Sequence, residues 1–232
     1  MGNFFGNIVS YHRQCYIIID QYILTTKDQH PNTITNIVYM GMGEPLLNYS
    51  ATEKSLKILL HDLGNKIGRT RITVSTAGIA NKIIELADSD TRVKLALSLH
   101  SCFDDVRNKI MPINLKYNLK ENIDALRYYT KTTKTKIMFE YIMLKGINDR
   151  DEDLCELIKL CKKLPSKVNL IPFNSIAHMV NGGFSAELEP TPLTRIKEFA
   201  EQLIMKDIFV IRRNPQGDDI AAACGQLAIK EN

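Results

Sequence analysis

Apolar residues along this 232-residue chain fall into short runs, and longer amphipathic stretches separate them. Thr35–Met40 is rich in β-branched and apolar side chains and reads as a buried strand. A helix-period pattern follows from Ala51 to Leu63. The alternation continues with strand Arg71–Ser75, helix Ile79–Asp88, strand Lys94–Leu99, and a short helix at Asp104–Lys109. Next come helix Leu119–Thr130, strand Lys136–Leu144, helix Asp151–Leu164 and strand Lys167–Pro172. Helix Pro192–Met205 and strand Ile208–Arg213 close the series. Six strands with helices between them predict an α/β fold with a parallel sheet, because parallel neighbours need crossover connections.

The ends of the chain are read differently. Residues 1–34 fit the alternation least; Ile8–Leu24 reads as one helix and Thr25–Asn32 as a polar link. His178–Pro192, with Gly182, Gly183 and Pro190, reads as a long loop or lid and not as a linker between domains. A single domain over 1–232 is therefore expected, with 214–232 as a C-terminal tail.

Candidate chemistry gathers where the strands stop. The first strand runs into Gly41-Met42-Gly43-Glu44-Pro45, a turn that carries one carboxylate. Glycine permits positive φ or close approach to a ligand, and Pro45 ends the ladder. The turn is neither a dinucleotide fingerprint, since Leu46 stands at the third glycine position, nor a P-loop. Later strands end near Ser75, Thr76 and Gly78, near Ser98 and His100, near Lys145 and Asn148, at Asn174, and at Arg212 and Arg213. Ligands of α/β barrels bind at that end of the sheet, so these groups are expected around one mouth. Singly each is weak, and a lone His100 is more often structural.

Composition narrows the class only a little. Apolar residues make up 44% of the chain, which is ordinary for a globular core. Thirty basic and 26 acidic residues leave a net charge of +4, which permits an RNA partner without requiring one. No apolar run is long enough to span a membrane and no signal-peptide pattern opens the chain, so a cytoplasmic protein is expected. Cys15, Cys102, Cys155, Cys161 and Cys224 are odd in number and scattered. That argues against a disulfide framework, and Cys155 and Cys161 are expected to be buried thiols on different faces of one helix.

Taken together, the segments resemble a known family. Val38-Tyr39-Met40-Gly41-Met42-Gly43-Glu44-Pro45-Leu46-Leu47-Asn48 resembles the Gly-Glu-Pro segment of radical S-adenosylmethionine (SAM) enzymes, in the form used by the RlmN RNA methyltransferases. The likeness continues, in order, through Ile72–Gly78, Leu97–His100, Met111–Asn114, Phe139–Tyr141, Leu144–Asp149 and Asn169–Asn174. It ends with Gly217–Ile220 and Ala222-Ala223-Cys224-Gly225-Gln226-Leu227, the more specific motif. The resemblance implies a partial TIM-like (β/α)6 radical SAM barrel without its first strand. It also implies methylation of C2 of adenosine in 23S rRNA, and in some members of tRNA. Gly43 and Glu44 would hold the methionine amino end of SAM, and Ser75, Ser98, Leu99, His100 and Asn174 would line its ribose, adenine and carboxylate.

Cys224 would carry the methyl group in a methyl-cysteine intermediate, since a thiolate accepts a methyl that electron-poor C2 cannot take directly. The resemblance further implies a 4Fe–4S cluster that splits a second SAM to a radical, a reductant protein as electron source, and a monomer.

The sequence departs from the family in one large respect. No C-x3-C-x2-C triplet occurs, and Cys15 has no partner at that spacing, so the chain looks like the family without its front and no cluster ligand is assigned. Gln216 also stands where a basic residue would be expected. Three readings follow: part of an RNA methyltransferase; a non-catalytic remnant binding RNA or SAM through Arg69, Arg71, Arg212 and Arg213; or a lyase using Lys145.

Overall fold

The computed structural model describes residues 36–41, 43–62, 67–174, 184 and 187–212. The predicted helix at Ile8–Leu24, most of the loop after Asn174, Cys15, Arg213 and the tail with Cys224 lie outside them. The described chain runs β1 (Ile37–Tyr39), α1 (Tyr49–Leu60), β2 (Ile72–Thr76), α2 (Ala80–Asp88), β3 (Lys94–Ser98) and α3 (Asp104–Ile110). It continues with α4 (Leu119–Thr133), β4 (Ile137–Met143), α5 (Asp151–Lys163), β5 (Ser166–Pro172), α6 (Leu193–Ile204) and β6 (Val210–Arg212). Two 3₁₀ turns, Arg69–Arg71 and Pro112–Leu115, are additions that the periodicity does not show.

All six strands are parallel and stand in chain order, β1-β2-β3-β4-β5-β6, so each helix crosses over to the next neighbour. This is the singly wound order of a partial barrel, as expected. Alternation in the strands separates two faces. Phe139, Tyr141 and Met143 of β4, Leu95 and Leu97 of β3, and Val168 and Leu170 of β5 join Leu56, Ile83, Leu126, Leu157 and Phe199 of the helices in one core. Their alternates face inward, away from the helix layer.

The element boundaries differ from the expected ones for local reasons. α4 reaches Thr133 because Lys134 closes it in the left-handed conformation, and Asn118 caps its start by accepting the Glu121 amide at 3.0 Å. β6 starts only at Val210 because a turn occupies Met205–Asp207, with Asp207 at φ 62°. One cysteine expectation fails. Cys155 is exposed and Cys161 is half-buried. Their helix is amphipathic and Cys155 falls on its solvent side, whereas Cys161 packs against the core, where burial pushes its thiol up to about 11. Among the described residues no helix is long and apolar enough to cross a membrane.

Candidate active site at the strand C-termini

Glu44 is the hinge of the rim. Its Oε1 accepts the Leu46 amide at 3.0 Å and the Thr76 hydroxyl at 2.8 Å, and its Oε2 accepts the Ala77 amide at 2.6 Å. The carboxylate thus staples the turn after β1 to the turn after β2. Burial pushes the carboxyl above its usual range, against the pull of those three donors. A carboxylate has about four acceptor positions, so one on Oε2 is left for a ligand. Gly43 reaches this geometry at φ 95°.

Ser75 and Ser98 lie on the inner face near the ends of β2 and β3, and both are half-buried. Neither hydroxyl has a hydrogen-bond partner among the described residues. Ser98, Glu140 and Asn169 pair in register across β3, β4 and β5 and form one polar row on the inner wall. Asn169 donates to Glu140 Oε1 at 3.3 Å, and its own buried Oδ1 has no partner among the described residues. Glu140 and Asn169 escaped sequence reasoning because each sits mid-strand. The signal was available, however: a Glu and an Asn at core-like positions of two apolar strands.

His100 is buried and holds φ 55°, a left-handed conformation that costs a non-glycine residue energy. Three bonds enforce it. Its amide donates to the Glu140 carbonyl at 3.2 Å, its carbonyl accepts from Asn148 Nδ2 at 2.7 Å, and its ring Nδ1 accepts the Ile142 amide at 3.2 Å. The last bond puts the ring proton on Nε2. Burial, with Arg107 adding repulsion, lowers the imidazole to about 3, so it is a neutral donor.

Leu99 is buried in the core, and its amide and carbonyl are already paired with Glu140 and Arg107. Asn174 lies two residues beyond β5, half-buried, at the same end of the sheet.

Arg107 was not anticipated. It is wholly buried and braces the rim from behind. Nε donates to the Leu99 carbonyl at 3.0 Å, and Nη2 to the carbonyls of Ala77 at 2.6 Å and Ser98 at 3.0 Å. Nη1 donates to Asn114 Oδ1, and Asn114 in turn donates to Asp104 at 2.7 Å. Only the fold shows that an arginine on a charged seven-residue helix points inward.

Two sequence expectations need correction. Lys145 is exposed and paired with Glu189 at 2.5 Å, which raises its ammonium; a lyase lysine needs the opposite shift. Asn148 is fully buried and acts as a staple, so it is not a rim group open to ligand. Of the four arginines proposed to grip RNA, Arg213 lies outside the described residues and the other three do not sit at one end of the sheet. Arg69 and Arg71 precede β2, whereas Arg212 ends β6 at the opposite end of the sheet. No group of three or more metal-ligating side chains occurs among the described residues.

Comparison with known proteins bears on the fold and the family. The Radical SAM superfamily model matches residues 10–158. A probable dual-specificity RNA methyltransferase RlmN from Flavobacterium psychrophilum is 42% identical over 198 residues, covering 85% of this chain and 55% of the relative. The dual-specificity RNA methyltransferase RlmN of Nautilia profundicola is 43% identical over 205 residues, covering 88% and 56%. This chain therefore spans a little over half the length of those relatives. A crystal structure of a radical SAM methyltransferase from Sphaerobacter thermophilus superposes with a TM-score of 0.79 at 38% identity, over 90% of this chain and 59% of that one. A domain of a pyruvate-formate lyase-activating enzyme from Bacteroides vulgatus shares the fold at TM-score 0.60 and 14% identity. With the superfamily model spanning more than half of its residues, the chain belongs to the radical SAM superfamily, and within it is similar to the RlmN RNA methyltransferases.

Proposed function

We propose that this chain is the SAM-binding and substrate-binding barrel of an RNA methyltransferase acting on C2 of adenosine in 23S rRNA and tRNA, in the cytoplasm. The observation that carries the reading is the rim. One unspent acceptor position on Glu44 lies at the same strand ends as two unpartnered hydroxyls, Ser75 and Ser98. That donor set suits an amino acid joined to a ribose. Glu44 and the Gly43 turn take the ammonium, and Ser75, Ser98, the Nε2 proton of His100 and Asn174 take the ribose, carboxylate and adenine edges. Leu99 contributes an apolar floor behind the backbone it shares with Arg107. SAM, when bound, supplies an electrophilic methyl group, and Cys224 is the residue that receives it.

The cluster is a different matter. A 4Fe–4S cluster needs grouped thiolates, and neither the sequence nor the described residues provide three together. The test is methyl transfer to RNA when this chain is combined with a polypeptide that carries the C-x3-C-x2-C segment. Appearance of 2-methyladenosine by mass spectrometry, abolished by Cys224→Ala, is expected. Methylation that survives Cys224→Ala refutes the role of that thiol, and SAM binding unaffected by Glu44→Gln and Ser98→Ala refutes the site.

A further inference from the structure

The inner wall of the sheet changes character from one end to the other. At the strand C-termini it presents Ser98, Glu140 and Asn169 in one row. One row below are Ser75, Ala96, Met138 and Lys167, and below that Thr73 beside Lys94. At this foot a cavity of about 410 Å³ opens, within the size range of small-ligand sites. Its lining carries five cations, Arg69, Arg92, Lys94, Lys136 and Lys167, and no carboxylate. The remaining lining is three threonines and Val93.

Ordinary surface lysines are paired or fully solvated, and several on this chain are paired: Lys57, Lys82, Lys120 and Lys159 each meet a glutamate or aspartate on their own helix. The five at the foot have no carboxylate partner among the described residues. Arg69 and Arg92 spend donors on backbone carbonyls instead, Arg69 on Asp90 and on Arg92 at 3.4 Å, and Arg92 on Ser89 at 3.1 Å. Those bonds orient the guanidinium groups without neutralising them. Lys94 and Lys167 are half-buried, and burial together with the Lys94 charge lowers the Lys167 ammonium. Like charges held in a partly desolvated recess raise the energy of the folded chain unless an anion sits among them.

We propose that the foot of the barrel is a phosphate-binding site that seats an oligophosphate or phosphodiester group, separate from the mouth at the other end of the strands. Two guanidinium groups and three ammonium groups, fed from the starts of β2, β3, β4 and β5, surround one recess. Guanidinium forks match phosphate oxygens two at a time, lysines supply point charge, and threonine hydroxyls add neutral donors. Adjacent strands are about 4.8 Å apart, so four strand feet span roughly 14 Å, room for more than one phosphate. Two sources share this chemistry: a free oligophosphate, or the backbone of an RNA whose base is presented to the mouth. The site does not depend on the methyl-transfer reading.

Pyrophosphate binding to the chain, followed by titration calorimetry and thermal melting against potassium chloride of matched ionic strength, tests it. Lys94→Gln/Lys167→Gln is compared with Lys120→Gln/Lys159→Gln, which removes the same net charge elsewhere. Pyrophosphate is expected to bind and to raise Tm, with Kd weakened about a hundredfold in the foot variant, roughly tenfold per cation, and unchanged in the control. The ligand-free foot variant should melt no lower than the wild-type chain, since repulsion is relieved. If that variant fails to fold, Arg92→Gln/Lys136→Gln at the exposed rim takes its place with the same expectation. Competition with a twelve-nucleotide RNA then identifies the source: displacement of pyrophosphate assigns the seat to RNA backbone, and simultaneous binding assigns it to a free oligophosphate. Absence of pyrophosphate binding, or equal weakening in both variants, overturns the proposal. Either result leaves the methyltransferase assay untouched, so the two readings fail independently.

Discussion

Replacement of Arg107 by methionine is the sharpest test of how the rim is built. Methionine roughly keeps the apolar stem and removes the guanidinium. Four acceptors would then lose a donor: the carbonyls of Ala77, Ser98 and Leu99, and Asn114 Oδ1, although the Leu99 carbonyl keeps the Ser101 amide at 2.7 Å. At about 1 kcal/mol for each of the other three acceptors, the loss is roughly 3 kcal/mol. That agrees with the ~3–5 kcal/mol typical of breaking a buried charged network. Relief of the buried cation works in the opposite direction. Burial lowers the Arg107 guanidinium to about 10, so it stays charged near neutral pH and the cost should be flat from pH 6 to 8. Urea unfolding followed by circular dichroism at pH 6, 7 and 8 reads the effect. Arg107→Lys should recover only part of it, because an ammonium cannot reach three carbonyls and an amide in fork geometry. A loss below about 1 kcal/mol, or full rescue by lysine, would refute the brace.

Other outcomes follow from single features. His100 is neutral in the fold, with its imidazole lowered to about 3, and ordinary when unfolded, so its stabilisation is complete above about pH 6.5 and is lost as pH falls toward 3. Between pH 8 and pH 5 that amounts to about 2 kcal/mol, and His100→Gln should flatten this part of the stability–pH curve; an unchanged curve would count against it. Gly78→Ala should cost about 2 kcal/mol by denaturant titration, because φ is 107° and a Cβ there would sit 2.8 Å from the Asn122 side chain. A neutral effect would show that the turn relaxes freely. Anaerobic reconstitution of the chain alone should yield far fewer than four irons per molecule, since no cysteine triplet is present; a full cluster by iron counting and visible absorption would contradict this.

Much of this was written in the local pattern of the chain. Apolar runs and helical periods located every described strand and helix to within a few residues, because each element must bury one face and the spacing of apolar residues records which. The sequential order of the six strands was implied by the family resemblance and not by the alternation, which a doubly wound sheet would show equally well. The placement of Glu44, Ser75, Ser98 and His100 at one end of the sheet was legible in the alternation: each lies at or just past the end of a recognisable strand, and all parallel strands end on one side.

Tertiary structure decided what each of those groups has left to offer. The three donors on Glu44 come from 2, 32 and 33 residues away, and only the fold brings them together. Arg107 looks like one more charge on a short polar helix until packing turns it inward beneath the carbonyls of two strand ends. Asn148 resembles a rim residue in sequence and proves to be an internal staple, because its amide completes the backbone on either side of it. Glu140 beside Asn169 depends on strand register, which a single sequence cannot state. So does the cation cluster at the foot: its five residues are spread from position 69 to 167 and share a recess only because parallel strands also begin on one side. Burial and charge at a point are sums over neighbours distant in sequence, and that sum is what only the tertiary structure supplies.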